Sequence, residues 1–175
     1  MTHLIAPTPS LFGQQMQKWQ ASALDCIKLN VDAAIDRARN SFGIGAVARN
    51  SNCEVIAGMS KEILGTFSPK LAEIKALGIG LSWIHELGIF PEAVETDALA
   101  VTQSLSHPLD FDCDFGNLLL DVSHLLSYFP GTVFKHISCS ANGVAHALAK
   151  HANECTWLGK ISPPIMIVVV LDNSN

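Results

Sequence analysis

Three carboxylates stand in sequence contexts that could do chemistry together: Asp32 in "KLNVDAA", Glu73 in "AEIKAL" and Asp97 in "VETD". Ile27, Leu29 and Val31 alternate with Lys28, Asn30 and Asp32, the period of a strand with one apolar face. Glu73 lies beside the apolar stripe of a helical segment, and Asp97 closes a short strand. Carboxylates brought from three separate elements into a partly dry site repel one another, and such a cluster persists by holding a cation. Oxygen donors favour Mg²⁺ or Mn²⁺ over zinc. A pair of such ions, about 4 Å apart, can activate a water and stabilise a leaving phosphate-ester oxygen. Taken singly, each residue also has a simpler reading. Aspartate after a strand is a common turn residue, and a glutamate in the first turn of a helix complements its dipole.

The elements that must position these groups follow from periodicity. Strand one is expected over 26–32, ending at Asp32. "FGIGAVARN" and "CEVIAGMSKEIL" read as the next two strands of an antiparallel meander, turning at Asn50, Ser51 and Asn52. Gly43 and Gly45 are expected to ease a bend or bulge. Leu71, Ile74, Leu77, Leu81 and Ile84 mark a helix capped by Ser68 and Pro69 and stopped at Gly88. Gly78 and Gly80 inside it imply close approach to the sheet. "EAVETD" is a fourth strand, 98–106 and 116–128 are helices, "GTVFKHIS" is a fifth strand, and 141–156 is a last helix with Ser140 as candidate cap. The order is β-β-β-α-β-α-α-β-α. A helix joins strand three to strand four, so strands one and four can lie side by side and parallel, the helix covering one face. Asp32 and Asp97 would then share the C-terminal edge of the sheet, where ligands of open α/β sheets gather.

Composition sets the limits. The 175 residues suit one domain: a loose leader over 1–22, a folded domain over 23–158 and an extended tail over 159–175. Net charge is −5 with eleven Lys and Arg, a weak balance for grasping phosphates. Five scattered cysteines without a C-x-x-C pair read as reduced thiols of an intracellular protein, most of them buried. Secretion is not expected, because the N-terminus lacks a basic-then-apolar signal. The apolar run Ile165–Leu171 is too short to span a bilayer, which takes roughly 20 residues, so no membrane partner is expected.

The ordered set "KLNVDAA", "GIGAVARN", "SPKLAEIKALGIGL", "VETDALAV" and "ANGVAHALAKHA", with a following Trp and Pro-Pro, resembles the ribonuclease H-like domains of plants, which are related to non-LTR retrotransposon reverse transcriptases. The resemblance runs from about Trp19 to the tail. It implies an α/β ribonuclease H-like fold: a five-stranded mixed sheet, three antiparallel strands then parallel ones, flanked by helices. It also implies a monomeric, nuclear or cytoplasmic endonuclease that cuts the RNA strand of an RNA–DNA hybrid with two Mg²⁺ or Mn²⁺ ions. By position Asp32, Glu73 and Asp97 match the first three acidic ligands. His146 stands where the fourth, usually an aspartate, would be. A neutral imidazole offers one lone pair and no negative charge, so it suits Mn²⁺ better than Mg²⁺. Members of the wider superfamily, such as Argonaute-like nucleases, use a histidine comparably.

Helical spacing groups Asn142, His146 and Lys150 on one face, opposite Val144, Leu148 and Cys155. Asn142, Lys150 and the strand-end His136 are candidate substrate contacts. Three departures favour a second expectation, a domesticated fold that binds nucleic acid or protein without cutting. Ala33 replaces a frequent glycine, Cys139 a frequent arginine, and no basic protrusion is evident. Lys28, Arg37, Arg39, Arg49 and Lys150 are dispersed. "DFDCDFG" imitates a calcium loop but carries Phe115 where glycine is required. His136, His146 and His151 have no cysteine at zinc-ligand spacing.

Overall fold

The alternation that opens the sequence analysis does build a strand, and a longer one than expected. In the computed structural model, which describes residues 18–106 and 113–159, β1 runs Ile27–Asp36. It pairs along its whole length with β2 (Ser41–Asn50), from Ile27↔Asn50 to Asp36↔Ser41. Asp32 is therefore inside the strand, not at its tip. The turn aspartate is Asp36, whose Oδ1 accepts from the backbone N–H of Ala38 and of Arg39, both at 3.0 Å. β3 (Val55–Leu64) completes the meander. Its turn is held by Asn50 Oδ1, which accepts from the N–H of Asn52 and Glu54.

Helix α1 (Pro69–Glu86) starts as expected, with the Ser68 side chain accepting from the Leu71 N–H, and ends before Gly88 at φ +67°. After it come β4 (Ala93–Thr96), α2 (Leu99–Ser106), α3 (Cys113–Leu126) and β5 (Val133–His136). A 3-10 turn (Cys139–Asn142) leads into α4 (Gly143–Lys150), and β6 (Cys155–Leu158) follows. The sheet order is β5-β4-β1-β2-β3-β6, with β4 parallel to β1 and β5 parallel to β4.

The sheet thus has six strands rather than five. The expected helix over 141–156 divides because Trp157 has a place on β3: its indole lies over Gly58, where a Cβ would come within 2.0 Å of the ring. The chain leaves α4 at Lys150 and pairs Cys155–Leu158 with Ser60–Ala57. Cys155 consequently belongs to β6 and not to the helix face assigned to it. Ser140 lies inside the 3-10 turn, so it does not cap the helix. The expected helix end at His107-Pro108, the start of the calcium-like loop and the run Ile165–Leu171 lie outside the described residues. Cys26, Cys53, Cys139 and Cys155 are free thiols and none of these four is buried, against expectation.

Two apolar layers sandwich the sheet. Leu29, Val31, Phe42, Ile44, Ala46 and Met59 meet Ile74, Leu77 and Leu81 of α1 on one face. On the other, Val47 and Val55 meet Val144, Ala145 and Leu148 of α4 in a smaller core. Gly43 and Gly45 do not make a bulge; the β2–β3 register shift falls at Ala48/Arg49. Their role is to admit α4. A Cβ on Gly43 would sit 1.9 Å from the Ala149 carbonyl oxygen, and one on Gly45 would sit 2.0 Å from that of Ala145. Within α1, Gly80 does approach the sheet, at 3.0 Å from Val31, whereas Gly78 faces Val122 of α3 at 3.5 Å.

These spacings set contrasting mutational outcomes. Gly45→Ala is expected to push α4 off the sheet and cost about 1–3 kcal/mol, the usual range for overpacking. Gly78→Ala is expected to be neutral or to stabilise by up to about 1 kcal/mol, because it improves helix propensity without a clash. Thermal unfolding of the two variants checks the difference.

Candidate active site

The parallel register brings the strand carboxylates together. Lys28, Leu29 and Asn30 pair with Ala93, Val94 and Glu95. One pleat further on, Asp32 and Asp97 stand level at the C-terminal edge, on the same face as Asn30 and Glu95. Past Asn30, β1 has no β4 partner, and α1 brings Glu73 in over that opening. The Ala33 N–H stands beside the carboxylates of both Asp32 and Glu73 and lowers each.

Asp32 and Glu73 each feel the charge of their acidic neighbours. Burial first, then the charge of Asp97, pushes Asp32 from its ordinary 3.8 up to about 6, against the opposing hydrogen bond from His146. Burial first, then Asp32 and Asp97, pushes Glu73 from 4.5 up to about 8. His146 reaches the cluster from α4, with Nδ1 2.7 Å from Asp32 Oδ2. Its side chain is 56% exposed while that of Asp32 is 4% exposed, so the ring faces solvent and inserts one nitrogen. A carboxylate only accepts, so wherever Asp32 is ionised the proton of this bond sits on His146 Nδ1. Cys139 is exposed; the hydrogen bond its thiol makes to Asp97 and the charge of that carboxylate push the thiol up.

The donor set fits a hard divalent cation in its chemistry: three carboxylates and an imidazole, two of the carboxylates raised by burial and then by their acidic neighbours. Among the described residues, no group of three or more His, Cys, Asp or Glu side chains is already drawn together at ligand spacing.

The other expected contacts divide. Asn142 is 0% exposed and donates through Nδ2 to Asp97 Oδ1 at 2.9 Å and to the Val31 carbonyl at 3.1 Å, so it supports the site from below. Lys150 is exposed at the rim of a cleft of about 640 Å³ with Arg37, Arg39 and His151, adjoining β1 beyond Asp32. His136 is exposed in a second cleft of about 410 Å³, beside Lys18, Trp19 and Lys135.

Sequence reasoning missed what lies beneath Asp97. Asn30 and Glu95 are buried, with Asn30 Nδ2 donating to Glu95 Oε2 at 3.1 Å and to Asn142 Oδ1 at 3.3 Å. Lys28 pairs with Glu95 Oε1 at 3.0 Å, and Trp19 Nε1 donates to Glu95 Oε2 at 3.0 Å. Arg49 is 0% exposed and lies 3.7 Å from the centre of the Trp19 ring, so it is no part of a substrate groove. Trp19, placed in the expected loose leader, is thus docked. The available signal was the alternation itself: Lys28, Asn30 and Asp32 share a face, as do Glu95 and Asp97.

Comparison with known structures places this architecture. The chain aligns with RNase H1 from the halophilic archaeon Halobacterium salinarum NRC-1 at 23% identity and TM-score 0.63, covering 72% of this chain and 96% of that one. It aligns with LC11-RNase H1, isolated from compost by a metagenomic approach, at 20% identity and TM-score 0.65, covering 74% and 96%. LC11-RNase H1 in complex with an RNA/DNA hybrid aligns at 19% identity and TM-score 0.62, covering 72% and 95%. The fold is that of the ribonucleases H, with a sixth strand at the β3 edge. No curated protein sequence matches the chain. The model of the reverse transcriptase-like family matches residues 30–152, and the chain belongs to that family.

Raised carboxyl groups make stability depend on pH with a definite sign. Protonated Glu73 contributes stability that is fully present below about 4.5 and is lost as pH rises through about 8. In a chelator the protein is expected to unfold at lower temperature at pH 9 than at pH 6. Glu73→Gln is expected to flatten that slope, as measured by thermal unfolding across the range.

Proposed function

We propose that this chain is a ribonuclease H-type endonuclease that hydrolyses the RNA strand of RNA–DNA hybrids. The observation that carries the reading is the meeting of Asp32, Glu73 and Asp97 at the C-terminal edge of the parallel strands, with Asp32 and Glu73 raised by burial and by their neighbours' charge. Asp32, Glu73, Asp97 and His146 would hold the divalent ions, Mg²⁺ or Mn²⁺. When bound, such ions supply an activated water and charge stabilisation at the scissile phosphate.

The chain's own residues contribute the rest. Asp32 and Asp97 define the edge at which the RNA backbone must lie. Glu73 closes the open side of β1. His146, half in solvent and bonded to Asp32, orients that carboxylate through Nδ1 and keeps the lone pair of its other nitrogen available for a water or a cation. Arg37 and Lys150, lining the adjoining cleft together with Asp36, put positive charge beside the site of a chain whose net charge is −5. Recognition of hybrid shape and of the RNA 2′-OH entails little sequence preference. The LC11-RNase H1 complex with an RNA/DNA hybrid supports this substrate class through a shared fold. Among the described residues no helix is long and apolar enough to cross a membrane. An intracellular setting, nucleus or cytoplasm, is part of the proposal. A monomer and an origin in a plant retrotransposon-related gene complete the reading.

One observation favours a second reading, a nucleic-acid-binding module of weakened activity. His146 already engages Asp32 Oδ2, an oxygen a metal would require.

A labelled hybrid separates the two. The natural protein is expected to cleave it with Mn²⁺ and more slowly with Mg²⁺. Asp97→Asn is expected to lower the rate by more than about 100-fold, the scale on which losing one charge-stabilising group costs an active site. Cleavage that arises only in His146→Asp would establish the binding module instead.

A further inference from the structure

The hydrogen bonds under Asp97 all run one way. Arg49 Nη2 donates to Asn30 Oδ1 at 3.3 Å, Asn30 Nδ2 donates to Asn142 Oδ1 at 3.3 Å, and Asn142 Nδ2 donates to Asp97 Oδ1 at 2.9 Å. The direction is imposed at its source, because a guanidinium donates and does not accept. It is then locked at each amide. Asn30 spends its second donor contact on Glu95, and Asn142 spends its own on the Val31 carbonyl. Flipping either amide would set its oxygen against acceptors and its NH₂ against donors. Trp19 closes the assembly from outside, its ring against Arg49 and its N–H on Glu95.

Burying Lys28, Arg49 and Glu95 together is expensive, and well-packed apolar side chains would often be as stable in their place. The chain's one-way order gives them something to do. We propose that Trp19, Arg49, Asn30 and Asn142 are positioning residues, a relay that ties Asp97 down by Oδ1 from beneath and so fixes the direction in which its carboxylate, also bonded by the exposed Cys139 thiol, is offered to a cation. The proposal rests on the nuclease reading for its purpose but not for its geometry. It extends the working site to Trp19, which precedes the segment matched by the family model, residues 30–152.

The test uses the whole chain and the variants Asn30→Leu, Trp19→Ala and Trp19→Phe. In metal-free protein, the side-chain amide protons of Asn142 are read by ¹H–¹⁵N spectroscopy. Two separate, slowly exchanging signals are expected in the natural protein. In Asn30→Leu and Trp19→Ala their exchange is expected to quicken at least about 10-fold, with Trp19→Phe, which keeps the stacked ring, recovering most of the protection. Titration with Mn²⁺ alone is expected to show affinity lower by roughly 10- to 100-fold in the same two variants, the range typical for residues that orient a ligand. Unchanged Asn142 signals overturn the relay, and so does Mn²⁺ affinity within twofold of the natural protein. If Asn30→Leu does not fold, Trp19→Ala decides. If the natural protein takes up no Mn²⁺, the nuclease reading fails, and the amide signals alone decide the relay.

Discussion

Like charges held close together away from water are the constraint on which the rest of this structure turns. Asp32, Glu73 and Asp97 come from a strand, a helix and a second strand, and each arrives because of packing that has nothing to do with charge. Val31 and Leu29 seat β1 against α1, and the parallel β1–β4 ladder sets Asp97 level with Asp32. Burial and mutual repulsion then raise Asp32 and Glu73 well above the usual carboxylate range. The fold's apolar energy holds together a set of groups that would separate if left alone. Local stability is given up at such a place where a bound cation restores it.

On the α4 side, His146 tempers that repulsion. Glycines at 43 and 45 let the helix backbone lie directly on β2, and this brings His146 within 2.7 Å of Asp32. Beneath Asp97, the buried cations Lys28 and Arg49 against the single anion Glu95 leave the supporting layer with an excess of positive charge.

Much of this was legible in the sequence, and the reasons differ by element. The β1–β2–β3 meander, α1 with its Ser68 cap and the strand–helix–strand placement of the three acids follow from periodicity and capping, which are local. The sixth strand was not legible, because it depends on a Trp157–Gly58 contact between residues about a hundred positions apart. Strand one was expected to end at Asp32, but β1 continues to Asp36, which makes the turn; only the pairing with β2 decides where the strand stops. The glycines of β2 read as a bend because a sequence does not reveal which helix lies over a strand. Asn142 was placed on the right helix turn but given to the substrate, since a buried amide and an exposed one look alike until their partners are known.

Crystals of the natural protein soaked in Mn²⁺ and measured at the manganese absorption edge give the most direct trial of the central claim. An anomalous peak bounded by oxygens of Asp32, Glu73 and Asp97 is the predicted result. Anomalous density confined to other parts of the surface, with the three carboxylates still apart, would contradict it.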